Sequence, residues 1–182
     1  AVSSDGNTLV SGGSGGSIAI WDLKTRKFNS LIEKGHTDDI TLIGVSHDNT
    51  RIVSLTSKAI SIWNTSDRSL VHTFSNNSKK EEFFKCMALS KVSDYMVVGS
   101  ADKSLKIFHI GDKTEVGKIS EAHAQPASSI VLVSADKYII SGSPDNSVAI
   151  WDFKTKILVH RFSQVHKDGV TSVAVDSASK YI

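Results

Sequence analysis

The 182-residue sequence contains one cysteine, two prolines and no long apolar run. The single cysteine, Cys86, excludes an intramolecular disulfide and fits a reducing compartment. The longest apolar runs, such as that within residues 129–133, are far too short to cross a bilayer. No charged-then-apolar leader precedes Ala1, so we expect no secretory signal here. These absences predict a soluble, intracellular, globular protein.

An excess of charge of either sign is also absent, because 21 lysines and arginines face 19 aspartates and glutamates. The one Lys-Lys pair, Lys79-Lys80, lies beside two glutamates, whereas a nucleic-acid binder clusters its basic residues. The seven histidines are scattered along the chain, and no Cys/His group has the spacing of a zinc site. We therefore expect no membrane, metal or cofactor as a ligand. A nucleic-acid-binding subunit of a larger complex is an alternative that this charge distribution disfavours.

Internal repetition is the main positive feature of the sequence. Four segments alternate apolar and polar side chains, as strands with two unlike faces do. Each ends in an aromatic residue, and these residues are 42, 45 and 43 positions apart. The segments are Ser17–Trp21, Ala59–Trp63, Ser104–Phe108 and Ser147–Trp151.

Up to three more strand-like segments accompany each of these four, because the first repeat has lost its opening strand and the chain ends with an unpaired one. One precedes it across a turn (Thr8–Ser11, Arg51–Ser54, Tyr95–Val98 and Lys137–Ser141), and one follows it (Phe28–Ile32, Leu70–Phe74, Glu115–Ile119 and Ile157–Phe162). The other comes first in its repeat (Ile40–Val45, Phe84–Leu89, Ser129–Val133 and Val170–Val175). Such a unit has two apolar faces to cover, so we predict four-stranded antiparallel sheets stacked radially, with almost no helix.

The dipeptides within these repeats resemble those of the WD40 family across essentially the whole chain. Trp21-Asp22 and Trp151-Asp152 are full Trp-Asp pairs, Gly35-His36 is a full Gly-His pair, and His123 and His166 keep only the histidine. The resemblance implies an all-β fold of propeller blades. It also implies repeats at about 1–35, 36–78, 79–122 and 123–165, with a partial repeat at 166–182.

In the WD40 family a histidine, a serine, an aspartate and a tryptophan form a hydrogen-bonded tetrad in each blade. The resemblance places a complete tetrad at His123, Ser141, Asp145 and Trp151. The other tetrads are partial: Ser11 and Trp21, with Gly15 in place of the acid; His36, Ser54 and Trp63; Asp102 and Phe108, with Val98 in place of the serine; and His166. We expect these side chains to satisfy and rigidify inner-loop backbone.

A propeller enzyme is the first alternative, because histidine, serine and aspartate also make up a hydrolase triad. These residues recur at the repeat spacing, however, and the tryptophan shares the serine. Cys86, flanked by Phe83, Phe84 and Met87, is expected to pack in the core rather than act as a nucleophile. The Gly12–Gly16 stretch lacks a phosphate-loop lysine and joins two strands, so it is interpreted as a turn. We expect no enzymatic activity.

Protein–protein interaction is therefore the predicted function, as a scaffold or adaptor for other proteins or peptides. In the family, the turns before the first strand and between the second and third strands share a face that commonly binds ligands. The long polar segment Asn76–Glu82 is expected to overhang that face, and its lysines to form a rim that steers an acidic partner. The variable positions there are Thr37, Asp39, Ser57, Lys58, Lys79, Lys80, Ala101, Lys103, Gln125, Pro144 and Lys167.

The ends of the chain leave several closures open. Ala1 already lies in a strand-like run, which predicts a fragment of a longer protein. The blades then belong to a larger ring, most often of seven blades in this family. Four blades closing on themselves, or two copies joining open blade edges into eight, are the alternatives. We predict a cytoplasmic location, with the nucleus as the alternative.

Overall fold

The structure is a computed structural model, and it describes residues 1–75, 83–164 and 166–176. Within these ranges the chain forms fifteen strands in four antiparallel sheets and no helix. None of the described segments is a helix long and apolar enough to span a membrane. The prediction of an all-β chain built from repeated antiparallel sheets is confirmed. The sheets are grouped into two compact units, residues 1–79 and residues 80–182.

The first unit contains sheets 1 and 2. Sheet 1 has three strands, and sheet 2 has four, each paired antiparallel with the next in sequence. Sheet 1 lacks the first strand of its repeat, of which only the single bridge between Val2 and Leu9 is present. The strands are β1 (Thr8–Gly12), β2 (Ile18–Asp22) and β3 (Lys27–Ile32), then β4 (Leu42–Val45), β5 (Arg51–Leu55), β6 (Ala59–Asn64) and β7 (Leu70–Ser75).

The second unit contains sheets 3 and 4, both with four strands in sequence order. Each turns from one strand directly to its neighbour, as expected for hairpins joined by short turns. Sheet 3 consists of β8 (Phe84–Leu89), β9 (Tyr95–Ser100), β10 (Leu105–His109) and β11 (Thr114–Ile119). Sheet 4 consists of β12 (Ser129–Val133), β13 (Tyr138–Gly142), β14 (Val148–Asp152) and β15 (Leu158–Phe162).

Apolar side chains fill the space between the two sheets of each unit. In the first unit, Ile18 and Ile20 of sheet 1 share one buried cluster with Ile52 and Trp63 of sheet 2. In the second, Ile107 of sheet 3 shares a buried cluster with several residues of sheet 4. Each such side chain stabilises the folded state by about 1.5–3 kcal/mol relative to exposure. The alternating sequence pattern thus corresponds to sheets that bury both faces.

In every sheet, a β-bulge directly precedes the aromatic residue of the next-to-last strand. The register shifts between Ile20 and Trp21 in sheet 1 and between Ile150 and Trp151 in sheet 4. Sheets 2 and 3 shift at the equivalent point. A bulge increases local twist and redirects the following side chain, so the repeats share this irregularity as well as their strands.

The predicted strand Val170–Val175 is wrong, because the structure assigns no strand to these residues. Val170 donates its backbone N–H to the carbonyl of Ser143, and Val173 donates to the side chain of Ser129. These bonds go to a turn and to a hydroxyl rather than to a ladder partner. Val170 is nevertheless buried against sheet 4, so the segment keeps its packing role without strand pairing.

The turn between β1 and β2 brings two backbone segments into close contact. Gly16 adopts a φ of 77°, and a Cβ at this position would lie 2.1 Å from the carbonyl oxygen of His36. The backbone N–H of His36 donates to the carbonyl of Gly16 at 3.1 Å. A glycine is required here because the chain that carries His36 approaches the turn this closely.

Candidate functional site

Sheet 4 holds the complete set of tetrad residues, and three of them form a continuous hydrogen-bonded chain. The indole Nε1–H of Trp151 donates to the Oγ of Ser141 at 3.0 Å. The same Oγ lies 2.7 Å from Nε2 of His123. Ser141 is completely buried, and His123 is only 3% exposed. The chain therefore links the segment before β12 to strands β13 and β14 inside the protein.

Asp145 completes the set from the turn between β13 and β14. Its Oδ2 lies 3.3 Å from Nδ1 of His123 and accepts the backbone N–H of Ala124 at 2.8 Å. Its Oδ1 accepts both the backbone N–H and the hydroxyl of Ser147, at 3.0 and 2.6 Å. Burial alone would raise the pKa of this carboxyl, but the bonds from Ser147 and Ala124 and the neighbouring His123 hold the pKa below its usual value. Asp145 is thus an anion whose oxygens are occupied by internal donors.

The protonation state of His123 follows from these contacts. Burial lowers its pKa, Asp145 opposes that shift, and Arg161 adds to it. The imidazole is therefore neutral at neutral pH. Because Ser141 accepts from Trp151, its own hydroxyl can donate to Nε2 of His123. On the other side of the ring, Nδ1 lies 2.9 Å from Ser147 Oγ and 3.2 Å from a terminal nitrogen of Arg161. The two ring nitrogens of His123 thus contact the hydroxyls of Ser141 and Ser147.

Sequence reasoning missed two members of this network, Ser147 and Arg161. Arg161 donates from one terminal nitrogen to Ser147 Oγ at 3.1 Å and from the other to the Ala122 carbonyl at 2.6 Å. Its guanidinium carbon lies 5.7 Å from the Trp151 ring. A signal existed in the repeats, since Asp102-x-Ser104 matches Asp145-x-Ser147 and Lys118 pairs in sheet 3 as Arg161 does in sheet 4.

The first unit shows two partial versions of the same chain. In sheet 2, Nε2 of His36 lies 2.6 Å from Ser54 Oγ, which accepts from Trp63 Nε1 at 2.8 Å. Burial lowers the pKa of His36, with Asp38 opposing the shift. In sheet 1, Trp21 Nε1 donates to Ser11 Oγ at 3.2 Å, and both residues are exposed. The histidine–serine–tryptophan contact thus forms in sheet 2 without an aspartate.

Sheet 3 and the C-terminal segment carry the most reduced sets. Val98 and Phe108 stand where the serine and tryptophan belong, and both are buried. Asp102 instead accepts from Lys118 Nζ at 2.8 Å and from the hydroxyl of Ser104. Burial would raise the pKa of Asp102, but these two donors hold it well below its usual range. His166 is exposed to solvent.

The residues predicted to form the partner face lie mainly on exposed turns. Exposed members are Thr37, Asp39, Lys58, Lys103, Gln125, Pro144 and Lys167, while Ser57 and Ala101 are half-buried. Lys79 and Lys80 lie outside the described residues, as does the rest of the Asn76–Glu82 segment. Within the second unit, Gln125 Nε2 donates to the Pro144 carbonyl at 3.5 Å. In the first unit, Asp39 accepts the backbone N–H of Gly15 at 2.8 Å. This side chain therefore helps to hold the turn between β1 and β2.

A polar cavity of about 510 Å³ opens beside the sheet 4 network. Its walls include the four network residues His123, Asp145, Ser147 and Arg161. The outer part is lined by Lys103, Glu121, Ala124, Ser163 and Gln164. The cavity therefore combines two basic and two acidic side chains on one rigid base.

The remaining chemistry-bearing groups are packed rather than poised for reaction. Cys86 is 4% exposed, its thiol donates to the Ala127 carbonyl at 3.3 Å, and burial raises its pKa to about 12. Among the described residues, no three His, Cys, Asp or Glu side chains come together in a way that could hold a metal ion.

Comparison with known families places this architecture. The family model described as "WD domain, G-beta repeat" matches residues 1–22, 68–109 and 114–152, more than half of the chain. The chain belongs to the WD40 family. The solved "Structure of U3-55K" superposes with a TM-score of 0.81 over 93% of this chain and 52% of that chain, at 18% identity. This likeness shows the fold, which is that of WD40 β-propeller blades.

Curated WD40 relatives match at lower coverage of their own length. The U3 small nucleolar RNA-associated protein 15 homolog of Gallus gallus is 29% identical over 70% of this chain and 24% of its own length. A guanine nucleotide-binding protein subunit beta-like protein of Encephalitozoon cuniculi is 28% identical over 60% of this chain and 33% of its own length. Autophagy-related protein 16 of Arabidopsis thaliana is 27% identical over 66% of this chain and 24% of its own length. The chain thus spans about a quarter to a third of these relatives.

Proposed function

We propose that this WD40 chain is a non-catalytic scaffold that binds other proteins or peptides. The binding surface is formed by the exposed turns before the first strand and between the second and third strands of each repeat. The hydrogen-bonded sets hold those turns, while the side chains at equivalent positions differ from sheet to sheet. A rigid backbone that carries varied side chains is what a recognition surface requires. The curated relatives are likewise WD-repeat proteins, and such proteins are typically non-enzymatic.

The burial of Ser141 is the observation that favours this proposal over a hydrolase. A nucleophilic serine must reach a substrate carbonyl, with its base positioned to take the proton. Ser141 Oγ is instead enclosed between the Trp151 indole and the His123 imidazole, with no exposed surface. The three side chains are fully engaged with one another, so their geometry serves structure.

The test is capture of partners from the native organism with the full-length protein. Lys79, Lys80 and Lys103 are replaced together by glutamate, and Lys24, Lys113 and Lys154 are replaced in a matched control of equal charge change. We expect the first variant to lose partners that the control retains. Equal capture by both variants, with folding intact by circular dichroism, places the binding surface elsewhere and contradicts the proposed face.

Partners within RNA-containing complexes are a second possibility, raised by the titles of two similar proteins. The Gallus gallus relative is described as associated with U3 small nucleolar RNA, and the similar structure is of U3-55K. Capture is therefore repeated after ribonuclease treatment. Partners that persist bind the protein directly, whereas their complete loss supports RNA as the bridge or the ligand.

The cytoplasm is the location we propose, with the nucleus as the alternative that the nucleolar relative favours. Imaging of the full-length protein with a fluorescent tag distinguishes the two compartments. A nucleolar signal makes the alternative the correct one.

Four repeat units at about 1–35, 36–78, 79–122 and 123–165, with a partial unit at 166–182, are our proposal for the domain organisation. We further propose that they belong to a larger ring. Sheet 1 exposes Trp21, Phe28 and Leu31 at 38, 54 and 44%, an apolar surface prone to association. The mass of the isolated 182-residue chain by light scattering tests this, because a soluble compact monomer contradicts the larger ring.

A further inference from the structure

We propose that Arg161 and Lys103 form a receptor for an oxyanion carried by a side chain of the partner protein, a carboxylate or a phosphate. The receptor is the 510 Å³ cavity beside the sheet 4 network, named here the Arg161 cavity. The inference rests on the proposed function, since it names the chemistry by which this face recognises a partner.

The guanidinium of Arg161 is held in one orientation by the protein. Its terminal nitrogens donate to Ala122 O and Ser147 Oγ, and the one that donates to Ser147 also lies 3.2 Å from Nδ1 of His123. The group lies over the Trp151 ring. The remaining N–H groups belong to a side chain that lines an open cavity. A planar guanidinium fixed in this way binds carboxylate or phosphate with little further loss of side-chain entropy.

Within the part of the chain that the structure describes, the positive charge of Arg161 has no ion-pair partner. Among the described residues, no carboxylate oxygen lies within 4 Å of its nitrogens. Asp145 is nearby, but its oxygens already accept from Ser147 and Ala124, and its Oδ2 lies 3.3 Å from Nδ1 of His123. Because His123 is neutral, Arg161 is the cation of this buried network.

In sheet 3, the basic side chain at the equivalent position is paired with an acid. Lys118 of β11 pairs with Lys106 of β10 as Arg161 of β15 pairs with Ala149 of β14. Lys118 donates to Asp102 at 2.8 Å, so the equivalent charge is neutralised inside the sheet. Among the described residues of the second unit, the fourth-strand cation thus has a carboxylate partner in sheet 3 and none in sheet 4.

Lys103 and Glu121 set the charge at the mouth of the cavity. Both are exposed and line it, and the Ala122 backbone N–H donates to the Lys103 carbonyl at 2.9 Å. This bond places Lys103 beside the segment whose carbonyl anchors Arg161. Lys103 adds to the attraction for an anion, and Glu121 reduces it, so the two side chains should have opposite effects on binding.

The test is a ¹H–¹⁵N NMR titration of the whole protein at pH 7.5 and low salt. The probes are N-acetylglutamate N-methylamide, N-acetyl-O-phosphoserine N-methylamide and, as a neutral isostere, N-acetylglutamine N-methylamide. We expect the Arg161 Nε–H and Trp151 Nε1–H signals to shift to saturation with the first two and to stay in place with the third. The anion that saturates at the lower concentration identifies the preferred source.

Three variants and one control sharpen the result. Lys103→Gln should weaken the apparent affinity about two- to five-fold, and Glu121→Gln should strengthen it by a similar factor. Arg161→Lys keeps the charge but loses the fork, and should weaken binding more than Lys103→Gln does. Lys154→Gln, an exposed lysine outside the cavity, is the control and should change nothing.

A saturable shift with the glutamine probe, none with either anion, or equal affinities in Lys103→Gln and Lys154→Gln overturns the inference. The titration reports on the cavity alone, so its failure is separable from that of the proposed function. If anions do not bind but partners are still captured, only the oxyanion receptor is wrong. If anions bind but no partner is captured, the scaffold proposal is wrong and the receptor must serve another ligand.

Discussion

Arg68 donates from its Nε to the Oγ of Ser30 at 2.7 Å, although 38 residues separate them in sequence. Arg68 lies in the turn between β6 and β7 with a φ of 63°, and Ser30 lies on β3 of the neighbouring sheet. Lys156 occupies the equivalent turn in sheet 4, with a φ of 63°. Its Cε fills the space beside Gly117 on β11, where a Cβ would approach it to 2.0 Å. In both units, a basic side chain from a left-handed turn position thus reaches the outer strand of the preceding sheet.

Replacing Arg68 by alanine should lower the free energy of unfolding by about 1 kcal/mol, because a partly buried charge-assisted hydrogen bond is lost. The matched control is Arg26→Ala, which removes an exposed arginine from the same left-handed turn position in sheet 1. We expect the control to stay within about 0.5 kcal/mol of the unmodified protein. Urea unfolding followed by tryptophan fluorescence measures both, and equal losses would show that only the turn conformation matters.

Replacing Asp145 by alanine should cost about 1–3 kcal/mol, because the Ala124 and Ser147 N–H groups lose their acceptor in a mostly buried site. Asp168→Ala, which removes an exposed acid after β15, is the control and should be nearly neutral. The measurement is again the free energy of unfolding in urea. A cost for Asp145→Ala no larger than that of the control would contradict a structural role for this carboxylate.

Stability should fall as the pH falls below about 7, because burial lowers the pKa of both His36 and His123 in the folded protein. The unfolded chain, whose histidines have a pKa of about 6.5, then binds protons before the folded protein does. This contribution to stability is complete above the unfolded pKa and is lost as the pH falls towards the folded pKa. The slope is at most about 1.4 kcal/mol per pH unit for each histidine.

His123→Gln should reduce that slope, since one of the two buried titrating groups is removed. His160→Gln is the control, because His160 is exposed on β15. Urea midpoints between pH 5 and 7.5 provide the measurement. The same slope in the two variants would show that His123 does not carry the pH dependence.

The Cys86 thiol should react only when the protein unfolds, because burial raises its pKa to about 12 and leaves it 4% exposed. Labelling with a chromogenic disulfide reagent at pH 8 should be slow in water and should accelerate through the urea transition. A Ser163→Cys variant adds a thiol at an exposed position and should react at once, which controls for reagent access. Fast labelling of Cys86 in the folded protein would contradict the packed environment.

The periodicity of the sequence determined the fold, because strand alternation and the 42–45-residue spacing are local properties of the chain. Each sheet is a chain of hairpins, so its pairing follows from neighbouring segments and their turns. The one strand that failed, Val170–Val175, shows the limit of this reasoning. An apolar alternating segment becomes a strand only if a partner backbone lies beside it, and Val170 and Val173 bond to Ser143 and Ser129 instead.

The tetrad positions were also accessible from sequence, because the resemblance to the WD40 repeat places them at His123, Ser141, Asp145 and Trp151. What those side chains do was decided by the tertiary structure. Burial makes His123 neutral and encloses Ser141, and neither effect is visible in a string of residues. Arg161 is 38 residues from His123, and only the pairing of β15 with β14 brings its guanidinium over Trp151 and beside the imidazole. Its availability depends on which acids lie within reach, and that is a property of packing between segments distant in sequence.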